Sequence, residues 1–473
     1  MLYETLKEYA KSAVYPMHMP GHKRMSELLP SGIPCDIDIT EIHGFDNLSF
    51  PHGILAETSK LAAQLYGSKE SFMLVNGSTA GVLSAIGAHT ARGDKILMAR
   101  NCHLSVYNAA ALFGVNPSYV MPSIDKKTGI FCSVCPDSIK SALEANPDTK
   151  LVIITSPTYE GVISDVASIS AITKSLGIPL LVDEAHGAHL GFCEEFSGCA
   201  VKAGADIVVM SLHKTLPALT QCGLLHVCGE MANISEIKRH LSIFQTSSPS
   251  YLLMASIDHC LRLIASDKNR LFGKYRENLE NFYSRIKSMT NLFTLRHDAD
   301  KAHNSIFAHD PGKVVIVTKN TSLSGAELSE ILRNDYKLEL EMSCVNYALA
   351  MTSISDTPEG LERLAEALIC VDRTLKPYYF RAFEYDQYSP LPISAQTQEN
   401  ALKQKGRMAA ISEAAGLMSL EYIWAYPPGI PIIAPGEIID ESTIAYITNL
   451  VKAGVVPKST HGRLPEVAVS LTL

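Results

Sequence analysis

Lys214, in Ser211-Leu-His-Lys-Thr215, follows at once on the apolar run Ile207-Val-Val-Met210. A lysine at the end of a buried strand sheds much of its water, and desolvation disfavours the ammonium and frees the amine as a nucleophile. A second apolar run, upstream, ends in Leu181-Val-Asp-Glu-Ala-His186. Asp183 and His186 therefore stand at another strand end about 30 residues earlier, a separation that one strand–helix–strand unit spans. An amine, a carboxylate and an imidazole at neighbouring strand ends suit pyridoxal phosphate. The lysine would form the Schiff base, the aspartate would keep the pyridine nitrogen protonated, and flanking polar groups would hold the phosphate. A buried Asp183 is costly without a partner, which a pyridinium supplies; a helix cap or a salt bridge is the alternative.

Other stretches fit the same chemistry less specifically. Asn76-Gly-Ser-Thr79 joins a strand to a helix, so Ser78 and Thr79 and the free N–H groups there suit a phosphate, or form an ordinary cap. His103, in Arg100-Asn-Cys-His103, suits stacking on the pyridine ring, or is a half-buried histidine with its hydrogen bonds met. Thr155-Ser-Pro-Thr-Tyr-Glu-Gly161 either lines the cofactor's face or is a simple Pro/Gly turn. Ser211 and His213 flank Lys214 and suit the phosphate. Thr246-Ser-Ser-Pro-Ser-Tyr251, which contains Ser248, is a hydroxyl-rich turn before a helix and reads equally as a cap or as a phosphate contact. His186 and His189 suit the cofactor's phenolic oxygen or a substrate carboxylate. No third ligand accompanies them, and Cys132 and Cys135 have no second pair, so no metal site is expected.

The elements that must position these residues read as α/β. Strands are predicted at 71–75, 95–99, 118–121, 151–154, 179–182 and 207–210, alternating with helices such as 79–89 and 104–113, with an added antiparallel strand at 223–227. That alternation predicts a mostly parallel sheet with helices on both faces, with ligands outside the carboxyl ends of its strands. Four parts are expected: a polar, irregular N-terminal segment near the active site (1–60), a large cofactor-binding domain (61–300), a small α/β domain (301–376) and a C-terminal subdomain (377–473). The aromatic stretch Pro377–Tyr388 is expected to cross into the last of these.

Composition narrows the function classes. The chain has 473 residues, 41 basic and 49 acidic, for a net charge of −8. An acidic balance argues against nucleic acid or an anionic membrane as partner. Eleven widely spaced cysteines fit reduced thiols in a cytoplasmic protein. No signal-peptide core and no apolar stretch of spanning length is seen.

Taken together and in order, these stretches resemble the Orn/Lys/Arg decarboxylase family of fold-type-I pyridoxal-phosphate enzymes. The resemblance also draws on His18-Met-Pro-Gly-His-Lys23, Val182–His189, His213–Gln221 and Tyr426-Pro-Pro-Gly-Ile-Pro431. It implies α-decarboxylation of a basic amino acid, with arginine favoured over lysine or ornithine, to a polyamine or its precursor. Lys214 resembles the Schiff-base lysine, Asp183 the partner of the pyridine nitrogen and His103 the stacking residue; these three are the expected catalytic residues. Ser78, Thr79, Ser211 and His213 resemble phosphate ligands, with His186 and Ser248 among the cofactor contacts. Glu437 resembles an acid near the substrate's distal amine. A homodimer or larger homo-oligomer with shared active sites is implied, with the 246–251 turn reaching the neighbour's phosphate. Leu104, Leu212, Ile42–Asp46 and Trp424–Tyr426 depart from the usual pattern, at positions bearing on substrate choice. The early His18 motif resembles the short form of the family, without an N-terminal wing domain. An aminotransferase or lyase of the same fold, or a non-catalytic binder of the cofactor, are the alternatives. The former would usually offer an arginine for the α-carboxylate, and no obvious one is seen.

Overall fold

Strands made wholly of Val, Ile, Leu and Met have no polar face and must be covered on both sides. The computed structural model, which describes all residues except 126–127, 296–304, 320, 376–391, 426–428, 453–454 and 472–473, places them that way. The strands of the large domain are β1 (Glu70–Leu74), β2 (Lys95–Ala99), β3 (Asn116–Val120), β4 (Thr149–Thr155), the short β5 (Val162–Ile163), β6 (Leu180–Asp183), β7 (Ile207–Ser211) and β8 (Gly223–Val227). All but β5 form one sheet in the order β1-β8-β7-β6-β4-β2-β3. The run from β3 to β7 is parallel, and β8 alone runs against its neighbours β7 and β1. Every residue of β6, β7 and β8 is buried.

The helices are α1 (Leu2–Lys11), α2 (Ile54–Tyr66), α3 (Gly77–His89), α4 (Leu104–Phe113), α5 (Pro136–Ala145), α6 (Val166–Ser175), the single turn α7 (Leu212–Thr215), α8 (Ile234–Phe244) and the 36-residue α9 (Tyr251–Ile286). Residues 1–60 are less irregular than expected. Leu2 and Leu6, four apart on one face of α1, are fully buried, and α1 packs on α9. Asp258 of α9 accepts the Leu2 N–H (2.9 Å) and the Thr58 hydroxyl of α2 (2.8 Å). Tyr9 and Ala10, half-buried on the same face, complete the short apolar stripe that holds α1 down.

Next come β9 (Phe293–Thr294), β10 (Ala308–His309), β11 (Lys313–Val317), α10 (Gly325–Tyr336), β12 (Met342–Ser343), β13 (Tyr347–Met351) and α11 (Pro358–Thr374). A four-stranded antiparallel sheet, β12-β13-β11-β9, carries this small domain, and its strand β9 lies before residue 301. One link to the large domain is β10, which pairs with β5. The C-terminal part holds α12 (Gln398–Leu402), β14 (Gly406–Ala410), β15 (Ile423–Ala425), β16 (Ile430–Ile433), α13 (Glu441–Lys452), β17 (Lys458–Ser459) and β18 (Glu466–Ser470), in sheets β14-β18 and β16-β15-β17. The expected crossover at 377–388 and Tyr426–Pro428 of the Pro-Pro-Gly turn lie outside the described residues. Among the described residues no helix is long and apolar enough to cross a membrane.

Candidate active site

Because β6 and β7 are parallel neighbours, their carboxyl ends meet at one edge of the sheet, and Asp183 lies in register with Val209. The chain leaves β7 at Ser211 and turns into α7, which carries His213 and Lys214. These ends open on a cavity of about 360 Å³ lined by Ser78, His103, Asp183, His186, His213 and Lys214, among others.

Lys214 Nζ stands 3.0 Å from His186 Nε2. Burial lowers the pKa of Lys214 from the usual lysine value, although Asp183 and Glu341 act the other way. Asp183 is buried and accepts the Ala185 N–H (3.1 Å). His103 caps α4, its Nδ1 accepting the Ser105 N–H (3.1 Å). Its ring remains accessible from the cavity, yet the depth of the site lowers its pKa; Asp183 opposes this shift and Lys214 adds to it. His213 Nδ1 donates to the Cys222 carbonyl (2.9 Å), so its other nitrogen can donate only from the imidazolium. Tyr159 packs on the His186 ring, centroids 4.3 Å apart, and its hydroxyl donates to Glu341.

Ser78 sits in the first turn of α3, after Gly77, whose φ of +73° makes the tight exit from β1 accessible to glycine. Thr79 and Ser248 are exposed and lie outside the cavity lining of this protomer. Ser248 belongs to a turn whose Thr246 N–H reaches Asn76 Oδ1 (3.5 Å), so the 246–251 turn borders the loop between β1 and α3. Ser211 is fully buried, and its Oγ has no hydrogen-bond partner among the described residues.

Two expectations change. Glu437 is not on the cavity wall. It is 1% exposed, with Oε1 2.6 Å from Arg100 Nη1 and Oε2 3.0 Å from Arg100 Nη2, and Oε2 also accepts the Ala434 N–H (2.7 Å). Arg100, beyond the end of β2, is covered by the C-terminal part, and a buried guanidinium requires a carboxylate. Burial works against the Arg100 charge, but Glu437 more than offsets it and holds its pKa above the usual value. His189 likewise turns away from the cavity, its Nε2 3.1 Å from Asp310 Oδ2 in the core. Among the described residues no cluster suits a metal ion, and the described cysteines are free thiols.

The residues present fit pyridoxal phosphate. An amine, a carboxylate and an accessible imidazole share one wall, and the unpaired Ser211 hydroxyl and buried Asn101 Oδ1 await polar partners. Sequence reasoning missed Phe131, Glu341 and Met351 on the wall and Lys313 behind it, and gave no role to Asn101 and Ile430 within the stretches it singled out. Lys313 was in view as a charged residue opening the apolar run Lys313-Val-Val-Ile-Val317.

The sheet order and the lysine and carboxylate at adjoining strand ends place the protein in fold type I of the pyridoxal-phosphate enzymes. The family model described as Orn/Lys/Arg decarboxylase, major domain, matches residues 1–301, and that for the C-terminal domain matches 379–455. The chain is 31% identical to the arginine decarboxylase of Bacillus subtilis over 461 residues, 96% of this chain and 94% of that one. It is 35% identical to the Bacillus subtilis protein YaaO over 464 residues, 95% of this chain and 94% of that protein. The crystal structure of the Francisella novicida lysine decarboxylase superimposes with a TM-score of 0.84 at 19% identity, covering 99% of this chain and 81% of that one. The chain belongs to the Orn/Lys/Arg decarboxylase family.

Proposed function

We propose that this protein removes the α-carboxylate of a basic amino acid as carbon dioxide, with arginine as preferred substrate. One observation carries this reading: Lys214, Asp183 and His103 share the wall of a single cavity in a chain of this family. Arginine is preferred on the strength of the near-full-length match to an arginine decarboxylase. When bound, pyridoxal phosphate supplies the electron sink that takes up the pair left by the departing carbon dioxide.

Lys214 anchors the cofactor, and its lowered pKa favours the neutral amine that anchoring requires. Asp183 keeps the proton on the pyridine nitrogen as a pre-placed charge. His103 covers the ring, and either it or Lys214 returns a proton to the substrate's Cα. Ser78 and His213, with Thr79 and the unpaired Ser211 hydroxyl nearby, receive the phosphate. The substrate's cationic end needs an acid. With Glu437 committed to Arg100, Glu341 on the cavity wall takes that role. Glu341→Gln should raise KM for the amino acid by roughly ten- to a hundredfold, the worth of one charged hydrogen bond, with a much smaller change in kcat. Initial rates against substrate concentration test this, and an unchanged KM excludes Glu341.

The active unit is a homodimer. Segment 14–50 exposes Val14, Tyr15, Met17, Leu28 and Phe50, an apolar surface suited to a second copy. Light scattering at micromolar concentration should give twice the 51.5 kDa chain mass; an active monomer rules the dimer out. Carbon dioxide and amine release from arginine, lysine and ornithine test the activity itself. Turnover of none of the three, in protein that has bound cofactor, leaves a cofactor binder; a keto-acid product means an aminotransferase.

A further inference from the structure

Behind the cavity wall stands a second amine. Lys313 opens β11, is 1% exposed, and its Nζ lies 2.9 Å from His186 Nδ1. Its stem has room because Gly161 has no side chain: a Cβ there would come within 2.6 Å of Lys313 Cγ, and the φ of Gly161, +92°, suits glycine alone. The imidazole of His186 thus sits between two lysines, with Lys214 on Nε2 and Lys313 on Nδ1.

That geometry limits the charge. Burial, and then the two amines, hold the His186 pKa well below its usual value, so the ring is neutral. A neutral imidazole has one N–H and one lone pair. One lysine must therefore donate to it while the other accepts from it, and an amine that accepts is uncharged. The chain Lys214–His186–Lys313 therefore holds at most one ammonium.

We propose that Lys313 is a positioning residue that stores the proton of Lys214, exchanging it through the imidazole of His186. In one state the Lys214 ammonium donates to Nε2, and Nδ1–H donates to the Lys313 amine. In the other, the Lys313 ammonium donates to Nδ1, and Nε2–H donates to the Lys214 amine. Two protons move, one along each hydrogen bond; no heavy-atom bond changes and the net charge is kept. The second state gives Lys214 the free amine that its anchoring role demands, and in that respect this inference rests on the function proposed above.

The surroundings act on both amines. Burial lowers the Lys313 pKa to about 8, against the pull of Asp310, Glu341 and Glu160, while Lys214 adds to the lowering. Lys214 is lowered too, with Asp183 and Glu341 opposing. His103 and His213 also face the relay and disfavour a charge on its ring. Asp310 remains ionised, since His189 and Lys313 outweigh its burial and hold it down to about 2.

The test is the pH profile of Lys214 acylation by acetic anhydride in the full chain freed of cofactor, read by peptide mass spectrometry. Acylation requires the neutral amine. Lys313→Met removes the store and a neighbouring cation, so the midpoint should rise by about one pH unit. Lys313→Arg fixes a cation on Nδ1 and forces Nε2–H towards Lys214, so the midpoint should fall. Opposite shifts support the relay; coincident profiles overturn it. If Lys313→Met does not fold, Lys313→Gln serves as the neutral arm. Borohydride capture of pyridoxal phosphate on Lys214 tests the cofactor reading separately. Capture with coincident profiles overturns the relay alone.

Discussion

Replacing Lys214 with alanine should lower the decarboxylation rate by roughly ten-thousandfold or more, about 5 kcal/mol of barrier. The variant should also lose the covalent attachment of pyridoxal phosphate, so that borohydride leaves no label on the peptide containing position 214. The expectation is this severe because, among the described residues, Lys214 is the lysine on the cavity wall and no other side chain there can form the same linkage. Lys313 is the nearest candidate to replace it, but the whole His186 ring lies between it and Lys214. The fold should survive, since Lys214 is only partly buried and His186 keeps Lys313 as a partner. Circular dichroism of the variant separates lost chemistry from lost structure. Near-normal turnover, or a label that moves to another lysine, would remove the basis of the proposed function.

Glu437→Ala should destabilise the protein by about 3–5 kcal/mol, read as a lower denaturant midpoint, because it leaves the buried Arg100 guanidinium without its carboxylate. The guanidinium would keep only the Ile432 carbonyl (3.1 Å) from among its present C-terminal hydrogen-bond partners. Glu437→Gln, which retains some hydrogen bonding, should cost less. At a temperature where both remain folded, KM for the basic amino acid should match that of the parent chain. A substrate-binding acid would behave in the opposite way, with stability kept and KM raised, so the two measurements decide between the roles. Arg100 lies in the same short stretch as His103, so the Arg100–Glu437 pair also ties the C-terminal part to the loop that carries the stacking candidate.

The strands bearing the chemistry were legible because each is a short apolar run ended by a polar residue. The predicted 95–99 and 223–227 strands are β2 and β8, and the antiparallel placing of β8 also holds. Short elements were harder to place, as α1 illustrates: one packed face of Leu2, Leu6, Tyr9 and Ala10 opens a segment otherwise polar. The 155–161 turn was singled out, but that Tyr159 would pack on His186 while Glu160 accepts the Tyr347 hydroxyl (2.7 Å) depends on a neighbouring strand.

What the sequence alone determined was the order of strand and helix and the strand end at which Lys214 and Asp183 each sit. Periodicity and covalent neighbours carry that information, because a parallel sheet brings all its carboxyl ends to one edge. Only the tertiary structure decided which charged groups meet. Lys313 reaches His186 across 127 positions, and Arg100 takes Glu437 across 337. Burial makes such pairings obligatory, since an ion removed from water must find its partner in space, wherever that partner lies along the chain.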